Sequence, residues 1–225
     1  FGFFDDRLTA SVDWYNRNTD DMLLSKRVPY TTGFGSNFMN IGAIRNRGLE
    51  FQLEGVLVNS NDFQWTAGFN IAFNRSKVLD LADSEYLSVT DSRASEQNSG
   101  TPVRIVKDKS LYTFYLRDWY GVNPSNGDPL WYAEDGSLTS DHNKARYIYA
   151  GSPEAKATGG FNTSLTWKGL TLSAFFEFVY GNKVFMASQF DLDGADMTGN
   201  TTTYSLNYWK KPGDTGVHPK PVAGA

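Results

Sequence analysis

Chemistry needs reactive side chains at workable spacings, and this sequence offers few. Its two histidines, His142 and His218, lie far apart in segments that read as loops. A His-centred triad or metal cluster needs close partners of the right type, so the expected role of both is packing or solvent contact. With no cysteine there are no disulfides and no thiolate metal sites. The run DLDGAD puts Asp191, Asp193 and Asp196 at a spacing that could hold Ca²⁺, but its glycine comes too early for an EF-hand loop. It reads as solvated loop. GFGSNF, from Gly33 to Phe38, lacks the third glycine of a dinucleotide fingerprint and stands in a loop, not between a strand and a helix. Asp13, Glu50 and Glu54 could do acid–base work as paired carboxylates. They fall on alternating segments, where hydrogen-bonded lining of a wet interior is the simpler role. The chain is not expected to be an enzyme, and no cofactor or metal is expected.

The elements that carry these residues are strands. In FQWTAGFNIAFN, residues Phe63, Trp65, Ala67, Phe69, Ile71 and Phe73 alternate with Gln64, Thr66, Gly68, Asn70, Ala72 and Asn74. Strict alternation gives a strand two unlike faces. The pattern recurs in RLTASVDWYN from Arg7, GLEFQLEGVLV from Gly48, GFNTSLTWKG from Gly160 and LTLSAFFEFVY from Leu170. A weaker strand is expected over Leu111–Tyr120 and a short one over Pro129–Tyr132, which brings the total to about seven. The clear runs are ~9–12 residues long, near the ~9–11 that a tilted membrane strand needs. Tight turns are expected at Asn59–Asp62, Asn123–Asp128 and Lys168-Gly169, where Asn126-Gly127 is a strong hairpin signal. Long polar connections are expected over 17–44, 75–110, 133–156 and from Gly181 onward. Short and long connections then alternate, which in an up-and-down antiparallel sheet puts all the long ones at one end.

Aromatic residues make up 15% of the chain, with 12 Tyr, 16 Phe and 6 Trp, and they gather near strand ends. The net charge of −4, with both signs interspersed, gives no basic stripe for nucleic acid. No run of 18 apolar residues exists, so a transmembrane helix is excluded, whereas a transmembrane barrel is not. The expected fold is all-β: an antiparallel transmembrane β-barrel segment with its apolar face to lipid, its Gln/Thr/Asn face to a wet lumen, long extracellular loops and tight periplasmic turns. A soluble, secreted β-rich carbohydrate-binding module, using Trp and Tyr as stacking platforms, is the alternative.

Four blocks, in order, carry a family resemblance. NIGAIRNRGLEFQLEG (Asn40–Gly55), YGVNPSNGDPLWY (Tyr120–Tyr132), GSPEAKATGGFNTSLTWKGLTLSAFFEFVYGNKVF (Gly151–Phe185) and YWKKPGD (Tyr208–Asp214) resemble segments of SusC/RagA-type TonB-dependent outer-membrane transporters. Departures are small: Ser125 stands for the usual Thr, Ala155 for a frequent Pro and Trp167 for the usual Tyr. The resemblance implies a barrel of about 22 strands filled by an N-terminal plug, energised by TonB in the outer membrane of a Gram-negative bacterium. A SusD-like surface lipoprotein would cap it, and oligosaccharides or peptides would be the cargo. Residues 1–225 would then be part of the barrel domain, with the plug, the TonB box and the closing strands outside this sequence. Tyr30, Phe34 and Tyr86, in the expected extracellular loops, are the candidate ligand contacts.

Overall fold

The computed structural model describes residues 1–27, 33, 36–82, 84–88, 102–192, 201–214 and 218–222. In chain order the strands are β1 (Gly2–Phe3), β2 (Leu8–Arg27), β3 (Ser36–Asn59), β4 (Phe63–Asp80), β5 (Tyr86–Ser88), β6 (Val103–Val106), β7 (Thr113–Arg117), β8 (Trp119–Val122), β9 (Pro129–Tyr132), β10 (Leu138–Thr139), β11 (Tyr147–Gly151), β12 (Ala157–Trp167) and β13 (Leu170–Tyr180). A short helix, α1, covers Ala187–Leu192. The described residues fall into two compact units: Phe1–Phe114 with Gly151–Lys183, and Tyr115–Ala150 with Val184–Ala225.

The first unit is built on a six-stranded antiparallel sheet in the order β1-β2-β3-β4-β12-β13. Its register aligns the alternation of every long strand. Ala10, Leu53, Phe69, Phe161 and Phe176 form one cross-strand row, and Val12, Phe51, Ile71, Gly159 and Phe178 form the next. On the other face run Ser11, Gln52, Asn70, Gly160 and Glu177. From Phe63 to Phe73 the apolar stripe rises ~34 Å along the strand, or ~26 Å along the normal at a tilt near ~40°, close to the ~25 Å band of a barrel wall. These apolar side chains are not buried by protein: Trp14 is 72% exposed and Phe176 61%. The buried apolar residues Ile44, Val78, Leu81 and Phe114 stand past the apolar rows, toward the long connections.

Two turns are tight, as expected. Ser60 closes the β3–β4 turn by accepting from the Phe63 amide at 3.2 Å and donating to its carbonyl at 3.0 Å. Lys168 and Gly169 both take positive φ, 46° and 86°, which is the geometry of a two-residue hairpin.

Two expectations are corrected. The stretch 17–44 is mostly strand and not loop, since β2 runs to Arg27 and β3 begins at Ser36; β4 likewise continues to Asp80. Ladder hydrogen bonds need only backbone, so a strand can outlast its apolar alternation. The alternation marks the part of a strand that faces an apolar medium and not the strand's full length. A break between Thr19 and Met22, with Asp21 at φ 54°, bulges β2 in this polar stretch.

The second correction concerns 111–120 and 129–132. Both contain strands, but neither is part of the wall, because β4 pairs directly with β12. The first run divides into β7 and β8, and β8, β9 and β10 make their own three-stranded sheet. The Asn123–Asp128 turn is therefore a hairpin within the connection between Asp80 and Ala157. Strands of four residues are too short to cross a bilayer.

Candidate functional site

A recess of about 430 Å³ on the polar face of the wall is lined by Tyr15, Arg17, Asn46, Glu50 and Asn74. Its geometry follows from one glycine. Gly48 pairs with Tyr15 on one side and Asn74 on the other. Any Cβ there would stand 2.4 Å from the Tyr15 ring, so the ring lies flat over the glycine. The Tyr15 hydroxyl thereby reaches across a strand and donates to Asn74 Oδ1 at 3.0 Å. The result is a floor of hydroxyl, amide, guanidinium and carboxylate groups, suited to hydrogen-bonding a polar ligand or a protein segment. It contains no activated nucleophile.

The candidate carboxylates share this face. Asp13 stands directly opposite Glu50, and Glu54 accepts from Gln52 Nε2 at 2.9 Å. Of the three, only Glu50 lines the recess. The histidines are elsewhere and apart. His142 packs edge-on against Trp131 at 5.4 Å between ring centres, and His218 against Tyr204 at 4.9 Å. Among the described residues no group of His, Asp and Glu is placed to hold a metal ion. Asp191 falls in α1, while Asp193 and Asp196 lie outside the described residues.

Tyr30 and Phe34 also lie outside the described residues. Tyr86 is on β5, which is not a wall strand, and is 39% exposed. The Arg104 guanidinium sits 3.8 Å above its ring. Tyr86 is not among the residues that line the recess.

Two clusters had no local signal in the sequence. In the first unit, Glu154 accepts from the Ser76 amide and hydroxyl, both at 2.7 Å, and from the Ser110 hydroxyl. Arg75 donates to the carbonyls of Ala155 and Lys156. These bonds fasten the segment before β12 to β4. At the nearby 107–109 turn, a hydrogen bond and the charge of Lys77, 2.7 Å away, hold the Asp108 carboxyl below its ordinary value.

In the second unit, aromatic and cationic groups satisfy one another. Tyr115 stacks on Tyr147 at 4.7 Å, and Arg117 covers the Tyr147 ring at 4.0 Å. Arg146 bridges to Asp118 at 2.5 Å. The Asn123–Asp128 hairpin is gripped by the YWKKPGD segment and by Lys220 beyond it: Trp209 lies over Gly127, its Nε1 donates to the Pro124 carbonyl at 3.0 Å, and Lys220 pairs with Asp128 at 2.9 Å. Two of the blocks singled out in the sequence are thus packing partners.

Comparison with known proteins agrees with this architecture. A profile for a family described as TonB dependent receptor-like, beta-barrel matches residues 1–177. TonB-dependent receptor P3 of Formosa agariphila is 25% identical over 97% of this chain and 23% of its own length. TonB-dependent receptor SusC of Bacteroides thetaiotaomicron is 30% identical over 77% of this chain and 18% of its own length. Among solved structures, the RagAB peptide transporter aligns over 97% of this chain and 24% of its own, with TM-score 0.81 and 27% identity. The RagAB peptide importer in its open-open state aligns over 100% of this chain and 24% of its own, with TM-score 0.82 and 27% identity. The chain therefore spans about a quarter or less of the length of the proteins it matches.

Proposed function

The chain belongs to the TonB-dependent receptor β-barrel family, of the SusC/RagA type, and from that premise we propose that it forms barrel wall and extracellular loops of an outer-membrane importer of oligomeric nutrients. The observation that carries this reading is the register. Five long strands align their apolar residues into rows on one face and their polar residues on the other. A sheet with so few buried apolar residues needs an apolar solvent on that face, and lipid supplies one.

Residues 1–225 act as part of a barrel domain whose plug, TonB box and closing strands are contributed by the rest of the parent protein. Import is energised by TonB, with a SusD-like surface lipoprotein over the extracellular mouth. Cargo is a glycan or a peptide: the RagAB neighbours are titled a peptide transporter and a peptide importer, and the glycan reading rests on the resemblance drawn from the sequence. The polar recess faces the lumen, where it contacts cargo or plug. Tyr30, Phe34 and Tyr86 act in capture from the loops.

The test is fractionation of the full-length parent. It should appear in detergent-extracted outer membrane as a heat-modifiable barrel. A soluble parent in the culture supernatant would defeat the reading and favour the secreted carbohydrate-binding module. Ligand profiling of the complete transporter–lipoprotein pair then decides between glycan and peptide. Shortening the β2–β3 hairpin between Asp20 and Phe38 should lower uptake or lipoprotein association while the barrel still assembles.

A further inference from the structure

We propose that a recess of the second unit, floored by Arg117 and Tyr147, binds a carboxylate group of an oligomeric ligand. The recess lies within the connection between β4 and β12 and measures about 610 Å³, inside the usual size range of ligand pockets. Its lining comes from Arg117 at the end of β7, from Ser137 and Thr139 of the β9–β10 hairpin, and from the stretch between Asn143 and Tyr147 that leads into β11. Strand β7 pairs with β11, and Ala133 bridges to Ala145, so backbone ladders fix these pieces against one another. The Arg117 guanidinium is fixed as well. It lies 4.0 Å from the centre of the Tyr147 ring, on which Tyr115 is stacked at 4.7 Å with 5° between the planes. Its Nη1 donates to the Ala145 carbonyl. A cation held still before a ligand arrives loses little freedom on binding.

What Arg117 lacks is a counter-charge. Arg146 is bridged to Asp118 and Lys220 to Asp128, whereas no carboxylate among the described residues pairs with Arg117. Its Nε is enclosed and finds no acceptor among the described residues. The two carboxylates of the recess do not supply one. Asp135 accepts from the Ser137 amide at 2.9 Å and hydroxyl at 2.6 Å, within its own turn, and Glu134 is exposed to solvent. A half-buried guanidinium without a counter-charge is costly, and its planar fork matches a carboxylate. Lys144, exposed and 3.8 Å from Asp141, brings a second cation to the same lining, and Asn143 an amide. With Glu134 and Asp135 nearby, the recess suits the single negative charge of a carboxylate better than the two of a phosphate. That this carboxylate belongs to imported cargo rests on the import reading above; the binding itself does not.

The experiment is calorimetric titration of the detergent-purified full-length parent with two matched pairs of probes. One pair is N-acetyl-tetraalanine and its C-terminal amide; the other is tetragalacturonic acid and its methyl ester. In at least one pair the acid should bind about tenfold more tightly than its uncharged partner, the size of one charge-assisted hydrogen bond. A preference in the first pair assigns the carboxylate to a peptide terminus, and one in the second to an acidic sugar. Arg117→Gln should abolish the preference and Arg117→Lys should keep only part of it. Lys144→Gln should lose about twofold to fivefold, because Lys144 is exposed. Lys211→Gln, outside the recess, should bind as the wild type does. Equal binding of acid and uncharged partner in both pairs, no binding of either acid, wild-type preference in Arg117→Gln, or an equal loss in Lys211→Gln would overturn the proposal. Should Arg117→Gln disturb the β7–β11 pairing, seen as new proteolysis within 115–150, Arg117→Lys and Lys144→Gln decide alone, and undiminished preference in both overturns it. A heat-modifiable barrel without acid preference would remove this site and leave the importer reading standing. Acid preference in a parent that forms no such barrel would uphold the site and remove the importer reading.

Discussion

The wall sheet and the Tyr115–Ala150 segment with its Val184–Ala225 companion solve the same problem in opposite ways. Both are rich in aromatic residues. In the wall most of these point outward in rows and stay exposed, as with Trp14, Phe161 and Phe176, while Tyr15 and Phe175 lie on the polar face. In the second unit the rings meet one another or a cation: Tyr115 on Tyr147, Trp119 on Trp131, Tyr120 on Tyr132, Arg117 over Tyr147. The first arrangement makes sense only against an apolar solvent, and the second is self-contained in water. Aromatic content alone therefore says little about a membrane; the face on which the rings lie says much.

The sharpest way to break this comparison is a charge on each wall face. Phe69 lies mid-row between Leu53 and Phe161, and Asn70 between Gln52 and Gly160. In the full-length parent, Phe69→Arg should cost roughly 2–4 kcal/mol and visibly reduce the heat-modifiable fraction. Asn70→Arg, hydrated from the lumen, should cost much less. A companion pair, Phe69→Cys and Asn70→Cys, should label with a lipid-soluble and a water-soluble reagent respectively. Equal labelling of both by the water-soluble reagent would sink the face assignment.

The next effect belongs to the second unit. Gly127 has φ 76°, and a Cβ there would come within 2.5 Å of the Trp209 ring. Gly127→Ala should therefore cost about 1–3 kcal/mol. Proteolysis of the parent should show loosening confined to 123–128 and 208–214, with heat modifiability of the barrel unchanged. Loss of the barrel would mean that the two units are not separable in stability.

Glu154→Ala tests the hinge of the wall itself. It leaves the Ser76 amide and two hydroxyls, Ser76 and Ser110, without their acceptor, at a cost of about 1–3 kcal/mol. Hydrogen exchange should speed at Ser76 and Leu111, whose amide donates to Ser76 Oγ. Unchanged exchange would show that water replaces the carboxylate freely.

The smallest effect is a pH dependence. Lys77 lowers the folded-state pKa of Asp108, so the bridge contributes stability above the ordinary carboxylate pKa of 3.8 and loses it as pH falls through the lowered folded value. The amide of Asp108, which donates to the Val78 carbonyl at 2.9 Å, should lose protection over that acid range after correction for intrinsic exchange. Lys77→Met should move the loss to higher pH. The same midpoint in both proteins would show that the ion pair does not hold this turn.

Much of the wall was legible because period-two alternation is a direct image of a sheet between two media. Phe63–Asn74, Leu8–Tyr15, Phe161–Trp167 and Leu170–Tyr180 announced both their strand state and their outward face. Asn59–Asp62 and Lys168-Gly169 announced their turns through residue types that accept tight geometry. The polar continuations of β2, β3 and β4 were hidden, because past the apolar medium nothing constrains side-chain type while the backbone ladder goes on. The Asn126-Gly127 signal specified a hairpin and was silent on which sheet would own it. A turn is decided by four residues, whereas sheet membership is decided by which distant strand takes the free edge; here β12 took the edge of β4. The contacts between Glu154 and Ser76, Trp209 and Gly127, and Tyr15 and Asn74 over Gly48 belong to the same class. Each joins residues far apart in the chain, and each depends on a register or a docking that no local pattern encodes. Amino-acid order alone settled which face of each strand is apolar and which is polar, and tertiary structure alone settled which strands are neighbours, because polarity is a property of single side chains and pairing is a property of two.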